Sequence, residues 1–252
     1  MWHENDINPT NIIYGNFTNP ASFFVTSNGE IYIDDADTNG RVQKWIAETN
    51  TFVTVMYVNS SCFGLFVDTN DTLYCSMLSN HQVVKRSLNN FEVTSMAVAA
   101  GTGFPGSSAD QLNKPYGIFV DVNMDLYVAD CFNSRVQLFQ SGELNAITVA
   151  GSKSPNPTIY LNCPSAIVLD AEKYLFILDW KNHRIVGSSS NGFRCLVGCY
   201  EEAVRFEQLE FPTSLSFDRS GNMFVVGRFN NRIEKFEYLK SCSGKLNKNV
   251  MR

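Results

Sequence analysis

Pro115-Tyr116-Gly117-Ile118-Phe119-Val120-Asp121, then Leu126-Tyr127-Val128-Ala129-Asp130, then Asn133-Ser134-Arg135-Val136-Gln137-Leu138-Phe139, is the stretch that decides the fold. Each run is four to six β-branched or aromatic residues bounded by turn formers, which is how a short strand reads. The pattern recurs. A second clear copy starts at Pro164 and holds Leu175-Phe176-Ile177-Leu178-Asp179 and Asn182-His183-Arg184-Ile185. A third starts at Pro212 and holds Met223-Phe224-Val225-Val226 and Asn230-Asn231-Arg232-Ile233.

Two further copies lie upstream. One starts at Pro20 and holds Ile31-Tyr32-Ile33-Asp34-Asp35 and Asn39-Gly40-Arg41. The other holds Phe63-Gly64-Leu65-Phe66-Val67-Asp68, Leu73-Tyr74-Cys75 and Asn80-His81-Gln82. The positions Arg41, Gln82, Arg135, Arg184 and Arg232 are 41 to 53 residues apart, a propeller-blade period. A fourth strand follows in several copies, as in Ala146-Ile147-Thr148-Val149-Ala150-Gly151. Four strands per repeat without helical periodicity predict an all-β fold, a β-propeller of four-stranded blades. Five blades are recognisable, and the total stays open between five and six. The boundaries expected are one domain over 1–240 and a polar basic tail over 241–252. Asn11-Ile12-Ile13-Tyr14-Gly15 resembles the fourth strands, so the N-terminal strand is expected to close the ring.

The recurring Asp…Asn-x-Arg element has a physical reading. The acid ends the second strand, Asn suits the turn, and a planar guanidinium can bond a carboxylate and backbone carbonyls together. Asp35, Arg41, Asp130, Asn133, Arg135, Asp179, Asn182, Arg184, Asn230 and Arg232 are therefore expected to be structural staples rather than catalysts, since a catalytic constellation is unique and these recur. Met77 and Gln82 replace the pair in the second blade, and Gly227 replaces the acid in the last. Both blades should pack differently.

These residues resemble the NHL repeat, over about residues 20 to 238. The resemblance implies a propeller that serves as the recognition part of a larger protein, such as a ubiquitin ligase, or as an extracellular sensor. It also brings two rivals, an RNA-binding propeller and a metal-dependent lyase or hydrolase with its site in the central channel.

The bulk numbers discriminate among these. A net charge of −5 disfavours a nucleic-acid platform, which needs a basic face. Only three histidines are present, few for a channel metal site, and Asp68, Asp121, Asp170 and Asp218 recur as turn acids do. No cofactor is expected. No apolar run reaches the roughly 20 residues of a membrane span. Seven cysteines leave at least one outside an intrachain pair. Cys195 and Cys199 would sit roughly 13 Å apart along a strand, too far to bridge without a bulge. Cys163, Cys199 and Cys242 fall near blade edges and could form disulfides in a secreted protein. No signal peptide is read at the N-terminus, and the compartment is left open.

For binding, the loops after the second strands offer Phe132, Trp180, Lys181, His183, Arg228 and Phe229 on one face. Aromatics with Arg are the residue types of binding hot spots. The reading is a non-enzymatic module whose loop face binds a protein or peptide.

Overall fold

The computed structural model describes residues 12–35, 40–152, 154–155, 159–199, 209–229, 231–238 and 246–251. It contains five four-stranded antiparallel sheets arranged as the blades of a β-propeller. Blade 1 is β1 (Phe23–Val25), β2 (Ile31–Asp35), β3 (Arg41–Ile46) and β4 (Thr51–Tyr57). Blade 2 is β5 (Cys62–Val67), β6 (Thr72–Met77), β7 (Gln82–Ser87) and β8 (Ala97–Ala100). Blade 3 is β9 (Pro115–Val120), β10 (Leu126–Asp130), β11 (Arg135–Phe139) and β12 (Ile147–Gly151). Blade 4 is β13 (Pro164–Leu169), β14 (Leu175–Asp179), β15 (Arg184–Ser189) and β16 (Gly192–Val197). Blade 5 is β17 (Pro212–Phe217), β18 (Met223–Gly227), β19 (Arg232–Tyr238) and β20 (Leu246–Met251).

The core lies between blades. Side chains alternate along each strand, so each sheet turns one apolar face to the preceding blade and one to the next. On β5, Leu65 and Val67 pack on Tyr32, Val42 and Met56 of blade 1. Phe66 points the other way and meets Phe119 of blade 3 with ring centroids 5.1 Å apart. The same arrangement joins blades 2 and 3, 3 and 4, and 4 and 5. Close approach of neighbouring first strands requires glycine. A Cβ on Gly64 would lie 2.7 Å from the Tyr116 carbonyl oxygen, and one on Gly117 would lie 2.7 Å from that of Ser165.

Closure differs from the expectation. The fourth strand of blade 5 is β20, which pairs with β19 from Ile233↔Met251 to Tyr238↔Leu246. Residues 12–16 form no strand, and Asn11 is outside the described residues. Ile12-Ile13-Tyr14 looks the better strand by composition, but β20 is near β19 in sequence, and pairing segments close in sequence costs less loop-closure entropy. β20 comes from the stretch read as a polar tail.

Cysteine pairing meets the condition set by the sequence reading, a bulge between Cys195 and Cys199. Cys62–Cys75, Cys131–Cys163 and Cys195–Cys199 are disulfides, and Cys242 lies outside the described residues. The Cys195–Cys199 bridge forms because the extended geometry that would keep the two apart is broken twice. Register slips where Val186 pairs with Cys195 but Ile185 with Val197, and the strand then ends at Gly198 with φ +72°. The Cα atoms come within 5.6 Å.

Candidate functional site

The residues that shape the loop face are held by the recurrent Asp and Arg. Asp130 is fully buried and accepts from the Asn113 backbone at 2.7 Å, from Asn133 Nδ2 at 2.8 Å and from Arg135 Nε at 2.7 Å. Arg135 also donates to the carbonyls of Ser107, Ser108 and Gln111, each at 3.0 Å, tying down the connection from blade 2. Burial raises the Asp130 carboxyl above its ordinary range despite these donors. Asp179 repeats the scheme with Asn162, Asn182 and Arg184, and Asp35 with Thr18, Gln43 and Arg41. Asn230 lies outside the described residues.

The two irregular blades replace the pair in different ways. In blade 5, Arg232 Nε meets Glu234 at 2.6 Å, the acid having moved from the end of the second strand to the third. In blade 2, Met77 is buried in the apolar core, and the Cys62–Cys75 disulfide joins the first two strands instead.

A β-bulge starts each first strand of blades 2 to 5, so the residue after the opening position has no partner of its own. Bulges re-aim side chains. Here they bring Phe63 and Tyr116 into a run of rings across four blades. Phe63 meets Tyr116 at 5.3 Å, Tyr116 stacks on Trp180 at 6.5 Å, Trp180 meets Phe211 at 5.2 Å, and Phe211 meets Phe229 at 4.9 Å. His183 sits edge-on to Phe211 at 4.2 Å. Phe132 is exposed, with Lys114 Nζ 4.4 Å and Lys181 Nζ 5.8 Å from its centroid. Burial raises the Tyr116 hydroxyl above its ordinary value, and the charge of Arg228 works against that shift.

The structure thus brings Phe132, Trp180, Lys181, His183, Arg228 and Phe229 onto one continuous surface. Sequence reading missed Phe63, Lys114, Tyr116 and Phe211, which complete it. Their signal was positional: each flanks the start of a first strand, the part of the repeat that all blades present at this end.

Three residues that enter a first strand there have left-handed backbones just before proline: Lys114 at φ 51°, Cys163 at φ 54° and Phe211 at φ 46°. Such conformations are uncommon outside glycine and cost about 1–3 kcal/mol each. Each is held by the preceding blade. His81 Nδ1 accepts from the Lys114 backbone at 3.1 Å, Cys131 is bonded to Cys163, and His183 Nδ1 accepts from the Phe211 backbone at 3.2 Å. The two histidines are inter-blade latches.

The His81 latch predicts a pH effect. The acceptor nitrogen must be unprotonated, and burial lowers the His81 pKa below 6.5, helped by Lys114 and opposed by Asp130. With the folded value below the unfolded one, the latch stabilises fully above pH 6.5 and fades as pH falls through the folded value. His81→Ala should lower stability by about 1 kcal/mol at pH 7.5, and the gap should narrow by pH 5. Paired thermal melts test this, and a gap independent of pH would refute the latch.

The recurrent turn acids hold their own hairpin turns. Asp68, Asp121, Asp170 and Asp218 each accept two backbone N–H bonds from their own hairpin turn, at the opposite end of the blades. Among the described residues, no group of three or more His, Cys, Asp or Glu could hold a metal.

Fold and surface together define the class, a β-propeller with an aromatic and cationic loop face. No protein-family model and no curated protein matches the chain. Solved structures do. The streptogramin B lyase structure aligns with TM-score 0.64 at 14% identity, over 91% of this chain and 68% of that one. An auxiliary nutrient binding protein from Bacteroides thetaiotaomicron gives 0.67 at 13%, over 88% and 60%. A nidogen/laminin complex gives 0.60 at 19%, over 81% and 73%. At these identities the likeness is one of fold.

Proposed function

We propose that the chain is a non-enzymatic binding module whose loop face, built from NHL-type repeats, takes a protein or peptide ligand. One observation carries this reading: a continuous run of half-buried and exposed rings is bordered by Lys114, Lys181 and Arg228. Among the described residues, none of these three cations forms an ion pair with a carboxylate. Aromatic area ringed by free cations suits a partner that offers apolar side chains and carboxylates together. Of the two settings that the repeat resemblance suggests, three disulfides favour the extracellular one, since disulfides persist in oxidising compartments. A nidogen/laminin pair among the structures of similar fold is compatible with a propeller that engages another protein.

The test is affinity capture by the whole chain, with and without nuclease, beside a Trp180→Ala, Lys181→Glu variant. A retained protein should lose affinity by about 30-fold or more in the variant, the loss expected of a hot-spot pair. Retention abolished by nuclease would instead make the ringed face a stacking platform for single-stranded RNA.

A further inference from the structure

Asn16-Phe17-Thr18, Asn59-Ser60-Ser61 and Asn70-Asp71-Thr72 are the three places where the chain puts a hydroxyl residue two positions after Asn with no proline between. That is the acceptor pattern for N-linked glycans in chains that enter the secretory lumen. A chain rich in Asn, Ser and Thr holds such triplets by chance, so it is their placement in the fold that discriminates.

All three asparagines are exposed. In each triplet the fold fixes the neighbours and leaves the Asn side chain to solvent. Phe17 packs edge-on against Phe52 at 4.8 Å, and the Thr18 backbone donates to Asp35 at 2.8 Å. Val58 and Cys62, on either side of Asn59, are fully buried, and the Val58 backbone donates to the Gly40 carbonyl. Asp68 Oδ1 accepts from the backbones of Asn70 and Thr72, each at 2.9 Å. Among the described residues, none of the three carboxamides makes a hydrogen bond. A glycan is bulky and solvated, so it needs a carboxamide that the fold does not use. Asn133 and Asn182 show the contrast: their Nδ2 groups are spent on the staple acids at 2.8 and 2.7 Å.

The triplets are confined to blades 1 and 2. Further along, the repeat places asparagine at matching points without the hydroxyl. Asn123 takes the turn place of Asn70 and is bonded to Asp121 in the same way, but Met124-Asp125 follows it. Asn113 and Asn162 take the place of Thr18, each donating to a staple acid, and lead into Pro115 and Pro164. Asn16 and Asn59 therefore stand at the loop end of blades 1 and 2, and Asn70 at the hairpin-turn end of blade 2. Phe132, Trp180, Lys181, His183, Arg228 and Phe229 all belong to blades 3 to 5.

We propose that Asn16, Asn59 and Asn70 carry N-linked glycans, and that the two at the loop end shield blades 1 and 2 and leave the arc of blades 3 to 5 to the partner. Such glycans require an extracellular chain, so the assignment rests on the setting proposed for the loop face. In the transfer, Asn Nδ2 attacks the anomeric carbon of an oligosaccharide carried on a lipid pyrophosphate. The new N–C bond replaces the C–O bond to the pyrophosphate, which leaves with the electron pair, and the carboxamide releases one proton.

The test uses the intact protein isolated from the cells that make it. An amidase that releases N-linked glycans, acting in heavy-oxygen water, turns each glycosylated Asn into Asp carrying the heavy isotope. Peptide mass spectrometry should find that label at Asn16, Asn59 and Asn70, and not at Asn113 or Asn123. An unlabelled asparagine at any of the three would overturn the assignment at that site, and at Asn16 or Asn59 it would overturn the shielding as well. Hydroxyl-radical footprinting before and after glycan release should show Tyr14 becoming more reactive, with Phe132 and Phe229 unchanged. A matching rise at Phe229 would place the glycans over the binding arc and refute the shielding. Neither readout involves the partner, so a missing label would leave intact a capture that Trp180→Ala, Lys181→Glu abolishes.

Discussion

Arg135→Ala should destabilise the protein by about 3–5 kcal/mol, the cost of removing one partner from a buried ion pair. Asp130 would keep its place with no cation beside it, and three carbonyls of the connection from blade 2 would lose their shared donor. Burial already raises the Asp130 carboxyl, so the lost charge would be met in part by proton uptake. The equivalent Arg41→Ala should cost much less, about 1 kcal/mol, because the Arg41 side chain is 30% exposed and water can replace it. Urea denaturation of the two variants beside the wild type decides the matter. Equal losses would mean that the recurrent pair stabilises by its geometry alone, independent of burial.

Removing the Cys131–Cys163 bridge, by Cys131→Ser with Cys163→Ser, should cost about 2–4 kcal/mol. The bond closes a loop 32 residues apart in sequence and joins two blades, whereas Cys195–Cys199 spans a separation of only 4. Loop-closure entropy grows with the loop, so the Cys195→Ser/Cys199→Ser variant should lose less. The larger loss has a second source: Cys163 is one of the left-handed residues before proline, and the bridge is its latch. Chemical denaturation of both pairs measures this. A greater loss at the short bridge would contradict it.

Much of this was legible in the residues. Pro, Asp, Asn and Arg recur at similar offsets within the repeat because each does a local job that most blades repeat, and local jobs leave local signatures. What failed to show has a common cause. Glu234 replaces the missing acid from a neighbouring strand, so it escapes a search confined to the second strand. Tyr116, Phe211 and Phe63 belong to three blades, and only the ring geometry assembles them. His81 and His183 looked alike in sequence, but their acceptor role depends on the backbone of the following blade. The Cys195–Cys199 bridge depends on a register slip that no residue type announces. Ile12-Ile13-Tyr14 has strand character but no strand, because pairing in blade 5 is decided by the connection rather than by composition.

The two ends of the blades differ in sign. Among the described residues, the hairpin-turn end carries Asp68, Asp71, Asp121, Asp125, Asp170, Glu172 and Asp218 against Lys173 and Arg219, whereas the loop end carries Lys114, Lys181 and Arg228 against Asp110 and Glu210. A body with that polarity is turned by an external field before it touches anything. Approaching a negative surface, it should arrive loop end first, so that orientation is partly settled during diffusion. Added salt should then slow its association far more than it speeds its release.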